Sequence, residues 1–135
     1  MEIKDNNSSN IIFITGGTKS GKSEFAEYLG KKIKKLTYIA LSDSRPEDFN
    51  WQKKIIQHRK RRPSEWGLVE TNNLIHTLKK ENGPILIDSI GGFIMESITK
   101  NDEEWKIMID SLLDLLVLRV KTTLIVGEQV GWSLV

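Results

Sequence analysis

Cysteine is missing from the 135-residue chain. Its absence excludes disulfides, thiolate metal centres and a cysteine nucleophile. A large excess of one charge is missing too, since 20 Lys and Arg against 18 Asp and Glu leave a formal net charge of +2. So small an excess does not by itself point to nucleic acid or an anionic membrane. Long apolar runs are also absent. Met1 to Asn10 is polar, and the run Ile11-Ile12-Phe13-Ile14 stops at Gly16-Gly17, so no signal peptide is legible. The stretch Leu112 to Val120 holds Asp114 and Arg119 and falls far short of the roughly 20 residues that cross a bilayer. The expectation is a soluble, cytoplasmic protein.

What remains is ordinary globular material. With 39% apolar and 28% charged residues, the chain is neither disordered nor fibrous. Its length suits one domain burying about two-thirds of its unfolded surface. No repeat, low-complexity tract or linker divides it, so the expected organisation is a flexible segment over 1–10 and a single domain over 11–135.

Hydrophobic patterning predicts strands at Ile11–Thr15, Leu36–Leu41 and Ile85–Asp88, with another at Thr123–Val126 and a short extended piece from Trp66 to Glu70. The first is a β-branched run suited to burial on both faces. Helices fall between the strands. One carries Phe25, Leu29 and Ile33 at spacings of four and ends in Lys31, Lys32, Lys34 and Lys35, cations suited to its negative pole. A second starts near Pro46 and turns Phe49, Ile55 and Ile56 inward. Thr71-Asn72 caps a third that runs to about Lys80, before the break at Gly83-Pro84. Gly91-Gly92 opens a short one, and Asn101-Asp102 caps a longer one bearing Trp105, Ile109, Leu112, Leu113, Leu116 and Val120. Strands joined through helices imply parallel crossovers and a layered α/β fold.

The residues Gly16-Gly17-Thr18-Lys19-Ser20-Gly21-Lys22-Ser23 follow the first strand and open the first helix. This is P-loop spacing in P-loop context. Glycines let successive backbone N–H groups turn inward around phosphate oxygens, and the helix presents its positive end to them. Lys22 then reaches the β- and γ-phosphates, and Ser23 offers a hydroxyl to Mg²⁺. Such a site also needs an acidic residue near the metal at a neighbouring strand end. Asp88 is the candidate, against the alternative that it caps Gly91-Gly92. Glu128 is a second strand-end acid with a weaker claim.

The basic tract Lys53-Lys54-Ile55-Ile56-Gln57-His58-Arg59-Lys60-Arg61-Arg62 could be a solvated helix face or a nucleic-acid patch. It has little aromatic interleaving, and beside a P-loop it suits phosphates better. The surrounding cations bias His58 towards its neutral, nucleophilic form. His76 has no comparable surroundings and is expected to be structural or exposed.

Taken together, these residues resemble the bifunctional cobinamide kinase and cobinamide-phosphate guanylyltransferase family of cobalamin biosynthesis. Ile14 to Ser23, Thr37-Tyr38-Ile39-Ala40, His58-Arg59, Arg62-Pro63, Trp66, Glu70, Asp88 and Val130 to Val135 carry the resemblance, which runs from about Ile11 to the end. It implies a three-layer, RecA-like P-loop NTPase fold with a mainly parallel sheet. It implies two reactions: phosphorylation of adenosylcobinamide by a nucleoside triphosphate (GTP or ATP), then transfer of GMP from GTP through a guanylylated histidine, by position His58. It also implies Arg59 and Arg62 beside the α-phosphate, Glu70 and Trp66 on the guanine or corrinoid side, and Ser23 and Asp88 as Mg²⁺ ligands. A corrinoid substrate, no nucleic acid or membrane partner, and a trimeric assembly complete the implied picture. Relatives continue some tens of residues beyond the Val-Gly-Trp segment, so the expected sheet lacks the C-terminal strand region. They also commonly have Asn-Glu where Glu128-Gln129 stands here. The alternatives are another P-loop kinase of a small metabolite and an inactive nucleotide-binding remnant.

Overall fold

A computed structural model describes residues 10–17, 20–41 and 62–128. The helix expected after Pro46, the positions Thr18, Lys19, His58 and Arg59, and the closing segment Val130 to Val135 lie outside the described residues.

Five strands, β1 (Ile11–Gly16), β2 (Thr37–Leu41), β3 (Gly67–Thr71), β4 (Ile85–Asp88) and β5 (Thr123–Glu128), form one sheet in the order β1-β5-β4-β2-β3. Every pairing is parallel, as the helical crossovers require. The helices are α1 (Lys22–Gly30), α2 (Leu74–Lys80), α3 (Gly91–Ile94) and α4 (Asp102–Val117), and a 3₁₀ turn covers Met95–Thr99. This is the expected three-layer α/β architecture, consistent with a P-loop NTPase-like fold.

Both faces of the sheet are covered, which is why its central strands read as unbroken apolar runs. Side chains alternate along each strand. Leu86, Leu124 and Val126 therefore pack with Ala26 of α1, while Ile85, Ile87 and Ile125 pack with Leu74 and Leu78 of α2 and Leu112 and Leu116 of α4. Strand β5 is buried along its length up to Glu128. Inserted between β1 and β4, it separates the strand that leads into the glycine-rich loop from the one that ends in Asp88.

Helix α1 departs from the expected stripe. Phe25 is exposed, whereas Leu29 and Ile33 pack partly buried against the core as expected, beside the buried line of Ala26, Glu27 and Gly30. Close packing decides this. A Cβ on Gly30 would stand 2.8 Å from Leu36 Cδ2 and 3.0 Å from the Trp66 ring, so a side chain at that position would crowd both neighbours. Phe25 instead lies against Tyr28 on the outer face. The helix stops at Gly30, so Ile33 and the four lysines follow it rather than form its last turn.

The other ends follow the capping rules with small shifts. Asn73, one residue past the expected pair, caps α2 by accepting from the His76 backbone N–H at 3.1 Å, while Thr71 Oγ1 accepts from Asn73 N–H at 2.9 Å. Asn101 caps α4 by accepting from Glu104 N–H at 2.8 Å. Of the predicted apolar line on α4, Leu112 and Leu116 are buried and Trp105 and Ile109 pack beside them. Leu113 is exposed, and so is Val120, which lies beyond the helix. His76 is exposed. At the opposite sheet edge from the glycine-rich loop, Arg119 donates to the backbone oxygens of Glu81, at 2.5 Å, and Gly83, and to Thr123 Oγ1 at 2.8 Å. It thereby fastens the α2–β4 connection to the start of β5.

Candidate nucleotide site

All five strands point their carboxyl ends to one edge, where a doubly covered parallel sheet receives its ligand. Strand β1 delivers Gly16 and Gly17 there, and α1 starts five residues after Gly17. Gly21 precedes it with φ 85°, a left-handed conformation that glycine adopts without strain. That geometry turns the chain from loop into helix and leaves the first N–H groups of α1 facing the loop. Ser20 N–H donates to Gly17 O at 3.2 Å, closing the described part of the loop.

Lys22 is the first residue of α1. Its Nζ donates to Gly17 O at 3.1 Å and stands 3.7 Å from Glu128 Oε1. The lysine side chain is 9% exposed and the glutamate 52%. Glu128 reaches this point because Gly16 and Glu128 are register partners across β1 and β5. The sequence assigned Glu128 only a weaker claim. Strand insertion puts it beside Lys22.

Asp88 ends β4, with Val126 on one side in register and Ala40 on the other. Two strand spacings, roughly 10 Å, separate it from β1. It follows Leu86 by two residues and so shares the sheet face that α1 covers. It does not cap α3, whose N-terminal neighbour Ile90 makes no side-chain cap. Its Oδ2 accepts instead from the Tyr38 hydroxyl at 2.5 Å. Burial, and next the charge of Asp88, hold the Tyr38 phenol protonated far above its ordinary range.

Arg62 is drawn into the same cluster. Its guanidinium carbon lies 3.4 Å from the centre of the Tyr38 ring, and Nη2 is 3.5 Å from Glu27 Oε1 of α1. The Arg62 side chain is 5% exposed. Expected beside the phosphates, it is anchored inside by Glu27 and Tyr38. Trp66 stacks on the other aromatic neighbour, Tyr38, with ring centres 6.5 Å apart. Glu70 is exposed on edge strand β3, in register with Ala40 and then Asp88. It belongs to the same sheet edge but to the end remote from the glycine-rich loop.

Tyr38 and Glu27 are the residues that sequence reasoning missed. Two signals were present. A tyrosine in an otherwise aliphatic buried strand needs a partner for its hydroxyl, and a glutamate beside Ala26 on the covered face of a helix needs a cation.

The donors suit Mg²⁺. Ser23, second in α1, offers a hydroxyl, and Asp88 offers a carboxylate on the same sheet face. Hard oxygens in this small number fit an ion that keeps several waters and takes further ligands from phosphates. Among the described residues no group of three or more His, Asp or Glu could hold a metal alone. Nor is any described helix long and apolar enough to cross a membrane.

Comparison with known proteins adds the following. The family described as cobinamide kinase / cobinamide phosphate guanyltransferase matches residues 12–135. The bifunctional adenosylcobalamin biosynthesis protein CobU of Escherichia coli (strain K12) is 30% identical over 104 residues, covering 70% of this chain and 56% of that protein. The chain thus spans about half the length of the curated relative it matches.

Proposed function

Since the chain belongs to the cobinamide kinase / cobinamide phosphate guanyltransferase family, we propose that it acts in cobalamin biosynthesis as both kinase and guanylyltransferase, through a guanylylated His58. The observation that supports this reading is Lys22 at the start of α1, its Nζ on Gly17 O of the glycine-rich loop, with Asp88 ending β4 on the sheet face that α1 covers. There Gly16 to Ser23 would wrap the β- and γ-phosphates of the triphosphate, with backbone N–H groups and the Lys22 ammonium balancing their charge. Ser23 and Asp88 would hold Mg²⁺, which when bound neutralises charge developing on the phosphates.

In the kinase stage the hydroxyl of the aminopropanol arm of adenosylcobinamide attacks the γ-phosphorus of GTP or ATP. The γ-P–O bond to the nucleoside diphosphate breaks, and the hydroxyl proton leaves to solvent or a nearby base. In the second stage the neutral His58 imidazole attacks the α-phosphorus of GTP. An N–P bond forms and pyrophosphate departs, its charge met by Lys22. A phosphate oxygen of cobinamide phosphate then attacks the same phosphorus, the N–P bond breaks and His58 is regenerated. Arg59 offsets charge on the α-phosphate oxygens in this scheme. Glu70 and Trp66 would serve the guanine or corrinoid side, and a homotrimer is the proposed assembly.

α-Labelled GTP with Mg²⁺ tests the proposal on wild type and His58→Ala. Label that survives denaturation, is lost in acid and is kept in alkali, present only in the wild type, is the expected result. GTP bound without covalent label would remove the histidine route and leave either another P-loop kinase or an inactive nucleotide-binding remnant.

A further inference from the structure

A carboxylate that shares a cation with a phosphate chain must present one oxygen in one direction, yet the last torsion of an aspartate is broad. At Asp88 that freedom is removed. The Tyr38 hydroxyl takes Oδ2 at 2.5 Å, the short end of the range for O–H···O⁻. Tyr38 cannot swing away to release it. It is 2% exposed, with Trp66 stacked near its ring and the Arg62 guanidinium 3.4 Å from the ring centre. Arg62 is itself tied to Glu27, 3.5 Å away on α1. A line of four side chains therefore runs from the helix that begins with Lys22 and Ser23 to the end of β4.

We propose that Tyr38 is the positioning residue for Asp88, its hydroxyl holding Oδ2 so that Oδ1 is left for the Mg²⁺ that accompanies the triphosphate. The inference rests on the nucleotide-site reading above. A phenol suits the task because it donates one strong hydrogen bond and brings no charge to compete with the cation. The guanidinium lies over the negative ring face and closes the pocket around Tyr38. Partners that orient a metal ligand in this way change metal affinity by about 10–100-fold when removed.

The test uses the full chain, a non-hydrolysable GTP analogue and Mn²⁺ in place of Mg²⁺, with free Mn²⁺ read by electron paramagnetic resonance. Tyr38→Phe keeps the ring under Arg62 and should weaken Mn²⁺ binding about 10-fold, with metal-free nucleotide affinity unchanged. Asp88→Asn should weaken Mn²⁺ as well, and adding Tyr38→Phe to it should weaken Mn²⁺ no further, since a residue acting only through Asp88 loses its lever. A merely structural tyrosine would instead give an additive loss, which overturns the proposal. Wild-type Mn²⁺ affinity in Tyr38→Phe with a defect in Asp88→Asn overturns the positioning role alone. Wild-type affinity in both removes Asp88 from the metal site and the nucleotide-site reading with it. Should Tyr38→Phe fail to fold, fluorotyrosine in a Tyr28→Phe background leaves Tyr38 as the sole reporter with its hydroxyl intact. Its ¹⁹F resonance should move when Mg²⁺ joins the nucleotide-bound protein, and a fixed resonance overturns the proposal.

Discussion

Replacing Gly30 by alanine sets helix propensity against packing, and the distances decide which wins. Alanine in place of glycine favours a helix by about 1 kcal/mol in its interior, and Gly30 ends α1, where the gain is smaller. Against this, the new methyl would stand 2.8 Å from Leu36 Cδ2 and 3.0 Å from the Trp66 ring, whereas carbon atoms rest at about 3.5–4.0 Å. Relief needs a shift of roughly 0.5–1 Å from Leu36, which is fully buried, or from Trp66, which is stacked on Tyr38. Overpacking of this kind costs about 1–3 kcal/mol. The expected net loss is about 1–2 kcal/mol, which lowers Tm by about 3–8 °C in a domain of this size. Thermal and urea unfolding of Gly30→Ala measure it, with Gly83→Ala as the control because a Cβ there meets nothing within 4 Å. A Gly30→Ala protein as stable as wild type would refute the packing argument for the buried line of α1.

Lys22→Ala should weaken GTP binding by about 10–100-fold through loss of a charge-assisted hydrogen bond to phosphate, measured by calorimetric titration; unchanged affinity would remove Lys22 from the nucleotide site. Arg119→Ala strips donors from two backbone oxygens and Thr123 Oγ1 and should cost about 1–3 kcal/mol in urea unfolding without altering nucleotide affinity. The Tyr38 phenol is raised by burial and by Asp88, and Glu27 pushes it the same way while Arg62 opposes. Its proton is therefore held in the folded state and released more readily in the unfolded one. Its contribution is fully present below the ordinary phenol value of about 10 and declines as pH rises past it. In a Tyr28→Phe variant, tyrosinate absorbance should appear only as the fold is lost, and ionisation of the native protein near pH 10 would contradict the buried hydrogen bond.

Local chemistry could be read directly from the order of residues. The strand before Gly16, the glycine-rich turn and the helix opened by Lys22 and Ser23 depend on residues within one short stretch, as do the Asn101 cap and the strand ending in Asp88. Parallel pairing was legible as well, because helices between strands leave the chain no other return. Tertiary structure alone decided which strands are neighbours. No local pattern says that β5 enters between β1 and β4, yet that insertion brings Glu128 to Lys22. The same limit hid the inner line of α1. Spacing favoured Phe25, but the buried positions are Ala26, Glu27 and Gly30, and at Gly30 the approach of Leu36 and Trp66 leaves no room for a side chain. Tyr38 and Asp88 lie 50 residues apart, and Arg62 meets Glu27 from a different part of the chain. Hydrophobic periodicity records which face a residue turns to the core, and carries no information on which distant polar group waits there.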